Sequence, residues 1–77
     1  MKELILYYFE ECPFCKKVKK FLEGKAIDIT YKNIHTDKEA YNTLIKIGGK
    51  SQVPCLFING KPLYESDAII TWLKNNA

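Results

Sequence analysis

No apolar run in this chain exceeds six residues, and the one nearest the N-terminus, residues 4–9, is closed at once by Glu10 and Glu11. That is too short for the core of a signal peptide or for a membrane span. The expected location is therefore the cytoplasm, with no membrane partner. Histidine occurs once and cysteine three times, while a zinc site takes about four ligands. Beyond Cys12 and Cys15 only Cys55 and His35 are available, and the pattern puts His35 at the end of a strand remote from the first helix, so no metal is expected. An odd cysteine count also argues against a disulfide scaffold. The net charge is only +3, with much of the excess in a local cluster at Lys16, Lys17, Lys19 and Lys20. A nucleic-acid partner would need more phosphate-neutralising charge, with groove-reading or stacking residues beside it, and none is expected. Repeats, linkers and low-complexity tracts are also missing. What remains is one globular domain over residues 1–77, expected to be a monomer and near the lower end of what folds unaided.

What the chain does have is Cys12-Pro13-Phe14-Cys15, set between an apolar run and a lysine-rich stretch. Residues 3–9, nearly all apolar, suit a central strand covered on both faces. From Pro13 the period changes. Phe14, Val18, Phe21 and Leu22 share one helical face with lysines opposite, and Gly24 stops the helix. Residues 27–34 alternate apolar and polar, which predicts a second strand. Thr36 with Glu39 reads as a capping box for a helix running to about Ile47, with Tyr41, Leu44, Ile45 and Gly48 on one face and Gly48-Gly49 at its end. Residues 55–58 form a short buried strand after Val53-Pro54. Asn59-Gly60 is a two-residue hairpin turn leading to a strand over residues 62–64. Ser66 caps a last helix in which Ile69, Trp72 and Leu73 share a face. The order β-α-β-α-β-β-α predicts an α/β fold. A right-handed parallel crossover and an antiparallel terminal hairpin build a four-stranded mixed sheet with helices on both faces. With Cys-x-x-Cys opening the first helix, this architecture is thioredoxin-like.

The chemistry follows from that placement. The attacking species in thiol–disulfide exchange is the thiolate. A sulfur at the first turn of a helix meets unpaired N–H groups and the positive end of the dipole. Cys12 is thus the expected nucleophile, helped by the lysine cluster and opposed by Glu10 and Glu11. Cys15, one turn on and pointing inward beside Phe14 and Val18, is the expected resolving thiol. In a reducing compartment an inert structural disulfide is the weaker reading. A cis Val53-Pro54 bond would leave the Val53 backbone free for an incoming chain, whereas a trans proline would simply open the strand. Cys55 reads either as a small buried strand residue or as a side thiol near the site. Ser66 and Asp67 read either as a plain helix cap or as an anion site.

Taken together, Cys12-Pro13-Phe14-Cys15, Val53-Pro54 and Ser66-Asp67 resemble the glutaredoxin family over essentially the whole chain. The later half, from Val53 to Ile69, is also similar to the N-terminal glutathione-binding domain of glutathione transferases. The resemblance implies a thioredoxin fold and a cis Pro54. It also implies a redox-active Cys12–Cys15 disulfide and the reduction of protein disulfides or glutathione mixed disulfides, with glutathione as reductant. Carried over by residue, Cys12 takes up the glutathionyl group and Cys15 resolves it. Val53 pairs with the cysteinyl backbone beside Pro54. Backbone N–H groups at Ser66 and Asp67 take the γ-glutamyl carboxylate, and the Asp67 side chain takes its amine. The family usually places Lys or Arg three residues before the first cysteine, where this chain has Phe9, and Lys16 or Lys50 are the candidates to stand in. It usually places Gly-Gly before Ser-Asp, where this chain has Tyr64-Glu65, as transferases do. Two rivals share the architecture: an electron donor fed by thioredoxin reductase, and a carrier of a glutathione-ligated iron–sulfur cluster. Pro13 and Cys15 weigh against the second, because both favour closing a disulfide.

Overall fold

The computed structural model describes residues 3–76. The order is β1 (Leu4–Tyr8), α1 (Pro13–Leu22), β2 (Thr30–Asn33), α2 (Lys38–Gly48), β3 (Cys55–Ile58), β4 (Lys61–Tyr64) and α3 (Ser66–Asn76). The sheet runs β2-β1-β3-β4, so the apolar β1 is interior. It pairs parallel with β2, Ile5 opposite Thr30, and antiparallel with β3, Leu4 opposite Ile58. This is the expected thioredoxin-like fold.

Strand alternation divides the core into two layers. Leu4, Leu6 and Leu56 face α1 and α3 and bury Val18, Leu22, Ile69 and Leu73. Tyr7, Cys55 and Phe57 face α2 and bury Ala40 and Leu44. Each of these large side chains contributes about 1.5–3 kcal/mol by leaving water. Asn59 and Gly60 both have positive φ, 50° and 86°, as the two-residue hairpin requires. Asn59 also ties the turn to β1, its Oδ1 accepting the Glu3 amide at 2.7 Å and its own amide donating to the Glu3 carbonyl at 2.9 Å.

Several local expectations are corrected. The second strand is Thr30–Asn33 rather than residues 27–34, because pairing with β1 begins at Thr30. Ile27 and Ile29 pack against the core outside the ladder. The cap of α2 is Asp37, whose carboxylate accepts the Ala40 amide at 3.1 Å. Thr36 turns back to the Asn33 carbonyl instead. The residues α2 buries are Ala40 and Leu44, while Tyr41 and Ile45, expected on the same face as Leu44, are exposed. α3 begins at Ser66 itself, with the Glu65 carbonyl accepting the Ile69 amide at 3.0 Å. Among the described residues no helix is long and apolar enough to cross a membrane.

Candidate active site

Cys12 is the N-cap of α1, in extended conformation at φ −75° and ψ 115°, with Pro13 following at the first helical position. Its carbonyl accepts the first helical hydrogen bond, from the Lys16 amide at 3.1 Å. Its sulfur accepts the Cys15 amide at 3.2 Å, a capping role usually filled by a side-chain oxygen. As a thiol, Cys12 Sγ also donates to the Val53 carbonyl at 3.8 Å. As a thiolate it can only accept, and the Cys15 amide is already in place. The Val53–Pro54 bond is cis.

Cys12 is itself buried, at 5% exposure, and Cys15 lies deeper. It lies on the buried face of α1 with Val18 and Leu22 and is 1% exposed. Burial, and then the hydrogen bond to Cys12, push its thiol up to about 12, against a weaker opposing pull from the Phe9 backbone and Lys19. Cys55 heads β3 on the α2 side of the sheet, fully buried. Burial pushes it up to about 11, opposed by hydrogen bonds with Tyr64 and Leu63 and by Lys50. All three cysteines are free thiols.

Phe14 does not join the core as expected. Cys15 takes the inward position, which turns Phe14 outward to 60% exposure. There it lines a groove of about 290 Å³ with Gln52, Val53, Pro54, Glu65, Ser66 and Asp67. The fold thus brings together four of the anticipated residues, Val53, Pro54, Ser66 and Asp67, and adds Phe14, Gln52 and Glu65. Glu65 is held at φ +72°, a left-handed turn that swings Ser66 and Asp67 onto the groove and leaves the first N–H groups of α3 without helical partners. Lys16 and Lys50 do not line it. Lys50 lies over the Tyr64 ring at 4.7 Å. The cation that meets Asp67 comes instead from the lysine cluster: Lys17 Nζ lies 2.5 Å from Asp67 Oδ1, joining α1 to α3.

The other flank corrects the placement of His35. β1 and β2 are parallel, so their ends lie together, and His35 stacks on Phe9 with ring centroids 4.3 Å apart. Its Nδ1 is 3.8 Å from Glu11 Oε2. Lys19 Nζ lies 3.8 Å from Glu10 Oε1 and 4.5 Å from the centre of the Tyr8 ring, so both glutamates ahead of Cys12 have partners. Among the described residues, no group of three or more His, Cys, Asp or Glu is placed to hold a metal.

Comparison with known proteins agrees with this geometry. Residues 4–63 match the glutaredoxin family model. A glutaredoxin-like 8.6 kDa protein of the rubredoxin operon of Clostridium pasteurianum is 33% identical over 55 residues, 71% of this chain and 73% of that protein. Glutaredoxin 1 of Rickettsia prowazekii is 37% identical over 59 residues, 73% of this chain but only 61% of its own length. Among solved structures, the buckwheat glutaredoxin–glutathione complex superposes with a TM-score of 0.73 at 19% identity, covering 96% of this chain and 70% of that one. With a capped thiol and a buried thiol one turn apart at the start of α1, the chain belongs to the glutaredoxin family of thiol–disulfide oxidoreductases.

Proposed function

We propose that the protein reduces protein disulfides and glutathione mixed disulfides through Cys12 and Cys15, with glutathione as the electron source. The observation that carries this reading is the pairing of the Cys12 sulfur with the Cys15 amide at 3.2 Å, beside a groove that ends at the start of α3. In the first step the Cys12 thiolate attacks the glutathione sulfur of a mixed disulfide, forming Cys12–S–SG and releasing the substrate thiolate. A second glutathione thiolate then attacks this mixed disulfide, giving oxidised glutathione and restoring Cys12. With a protein disulfide, Cys15 gives up its proton and attacks the Cys12 mixed disulfide instead. The substrate leaves as a thiol and Cys12–Cys15 closes, to be reopened by two glutathione molecules. Burial keeps Cys15 protonated at neutral pH, which suits a thiol that acts second.

In the bound state, Val53 and Pro54 line the cysteinyl part of glutathione. The free N–H groups at Ser66 and Asp67 take the γ-glutamyl carboxylate, and Asp67 takes its amine. A protein of the same fold, the buckwheat glutaredoxin, is seen in complex with glutathione, which supports glutathione as the ligand. Lys16, exposed on α1, and Lys50 are the remaining cations for the glycine carboxylate. Two observations favour a second reading, a donor reduced by thioredoxin reductase: Phe9 carries no charge, and Lys17 already holds Asp67. The test is turnover of a glutathionylated peptide by wild type and Cys15→Ser, with glutathione and glutathione reductase recycling. Turnover by both supports the glutathione reading. Turnover by neither, with reduction of the wild type by thioredoxin reductase, overturns it.

A further inference from the structure

We propose that Lys17 is a built-in competitor for the ligand ammonium at Asp67, so that the groove admits a γ-glutamyl group only by displacing a cation of the protein itself. This rests on the reading of Asp67 as the amine acceptor. Asp67 lines the groove, and its Oδ1 is engaged by Lys17 Nζ at 2.5 Å. The two residues come from different elements, Lys17 from α1 and Asp67 from the first turn of α3, so the pair spans the groove wall beside Phe14. A ligand ammonium and the Lys17 ammonium have the same charge and the same donor chemistry, and both need that carboxylate. The other carboxylate lining the groove, Glu65, makes no ion pair among the described residues and is the alternative for whichever ammonium loses.

The exposure of the pair decides the size of the effect. The side chains are 53% and 82% exposed, and exposed pairs are weak and easily exchanged. Lys17 is thus a tax on binding rather than a block. Removing it should improve recognition of an amine-bearing substrate by roughly 1.4- to 5-fold, the range of an exposed ion pair. The loss of a cation near the anionic γ-glutamyl carboxylate would act on all such ligands alike.

That distinction gives the test. KM is measured for one peptide carrying glutathione in mixed disulfide and for the same peptide carrying the analogue with hydrogen in place of the γ-glutamyl amine. Wild type, Lys17→Met, Lys17→Arg and Asp67→Asn are compared. The expected result is that Lys17→Met lowers KM for the amine-bearing peptide relative to the analogue. Lys17→Arg, which keeps the competitor, should stay near wild type. An equal change for both peptides in Lys17→Met overturns the competition. Asp67→Asn separates this from the underlying reading: it should raise KM for the amine-bearing peptide alone. If Asp67→Asn is selective while Lys17→Met is not, only the competitor fails. If Asp67→Asn discriminates neither peptide, Asp67 is not the amine acceptor, and both readings fall.

Discussion

The amide of Cys15 points at the sulfur of Cys12 across 3.2 Å, and this contact, together with the deeper burial of Cys15, makes the two thiols unequal. Cys12 is supplied with a donor at a helix start. Burial works against charge on Cys15, and its hydrogen bond to Cys12 adds to that. A symmetric pair could open or close from either end, whereas this one has a direction.

Alkylation should report that direction. A limiting amount of iodoacetamide at pH 7.5 should label Cys12 alone in the folded, reduced protein. Cys55, with its thiol pushed up to about 11, has roughly one thiolate in three thousand at that pH, and Cys15 has fewer still. Peptide mapping by mass spectrometry checks the order. Labelling of Cys15 before Cys12 would reverse the assignment of nucleophile and resolver.

The raised thiols also tie stability to pH. An unfolded thiol ionises near pH 8.5, while folded Cys15 holds its proton to about 12 and Cys55 to about 11. Between those limits the native state binds more protons than the unfolded one, so stability falls as pH rises. The contribution is fully present below about pH 8.5 and lost progressively toward the folded values, with a slope of at most about 1.4 kcal/mol per pH unit for each group. Urea unfolding between pH 8 and 11 should show a shallower decline in Cys15→Ala and in Cys55→Ala than in wild type. Parallel curves would mean that burial does not hold those protons.

Much of this was legible before the structure, for identifiable reasons. The apolar run of β1, the Asn59-Gly60 turn and the Cys-x-x-Cys at a change of period are local signals, and each appears where its residues place it. Tertiary geometry was not legible in the same way. That His35 lies on Phe9 follows from the parallel register of β1 and β2, which no short window of sequence reveals. Phe14 has the spacing of a core residue, yet Cys15, one position on, takes the inward direction. Lys17 reads as one more solvated lysine until α3 brings Asp67 to it. Of the other groove residues, Gln52 carries no motif of its own, and Glu65, which stands where the family has glycine, matters through the left-handed turn it adopts.

The cap of α2 offers a clean check on one such correction. The Asp37 carboxylate accepts the Ala40 amide, whereas the Thr36 hydroxyl makes a long contact of 3.5 Å to the Asn33 carbonyl. Asp37→Ala should cost about 1 kcal/mol, and Thr36→Ala less than about 0.5 kcal/mol, as for an ordinary surface site. Thermal or urea denaturation of the two variants decides it. A larger loss for Thr36→Ala would restore the capping box.

The last prediction concerns how the groove is held from behind. Gly48 ends α2 against the ring of Tyr64, and a Cβ built there would overlap the Tyr64 hydroxyl and lie 3.2 Å from ring carbon Cζ. Tyr64 closes β4, donates its hydroxyl to the Lys50 carbonyl at 3.4 Å and leads directly into Glu65, Ser66 and Asp67. Gly48→Ala gains up to about 1 kcal/mol of helix propensity, so a simple surface glycine would be stabilised by the change. Here overpacking should win, with a net loss of about 1–3 kcal/mol. Tyr64→Phe removes the overlapping oxygen and gives up its hydrogen bonds to the Lys50 carbonyl and to Cys55, a loss of about 1–2 kcal/mol. The double variant should therefore be more stable than the sum of the singles, with a coupling of about 1 kcal/mol measured by urea unfolding. Additive losses would mean that Gly48 is not there to make room for Tyr64. Because the displaced ring sits one residue before the groove wall, Gly48→Ala should also raise KM for a glutathionylated peptide, and Tyr64→Phe should restore it in step with stability.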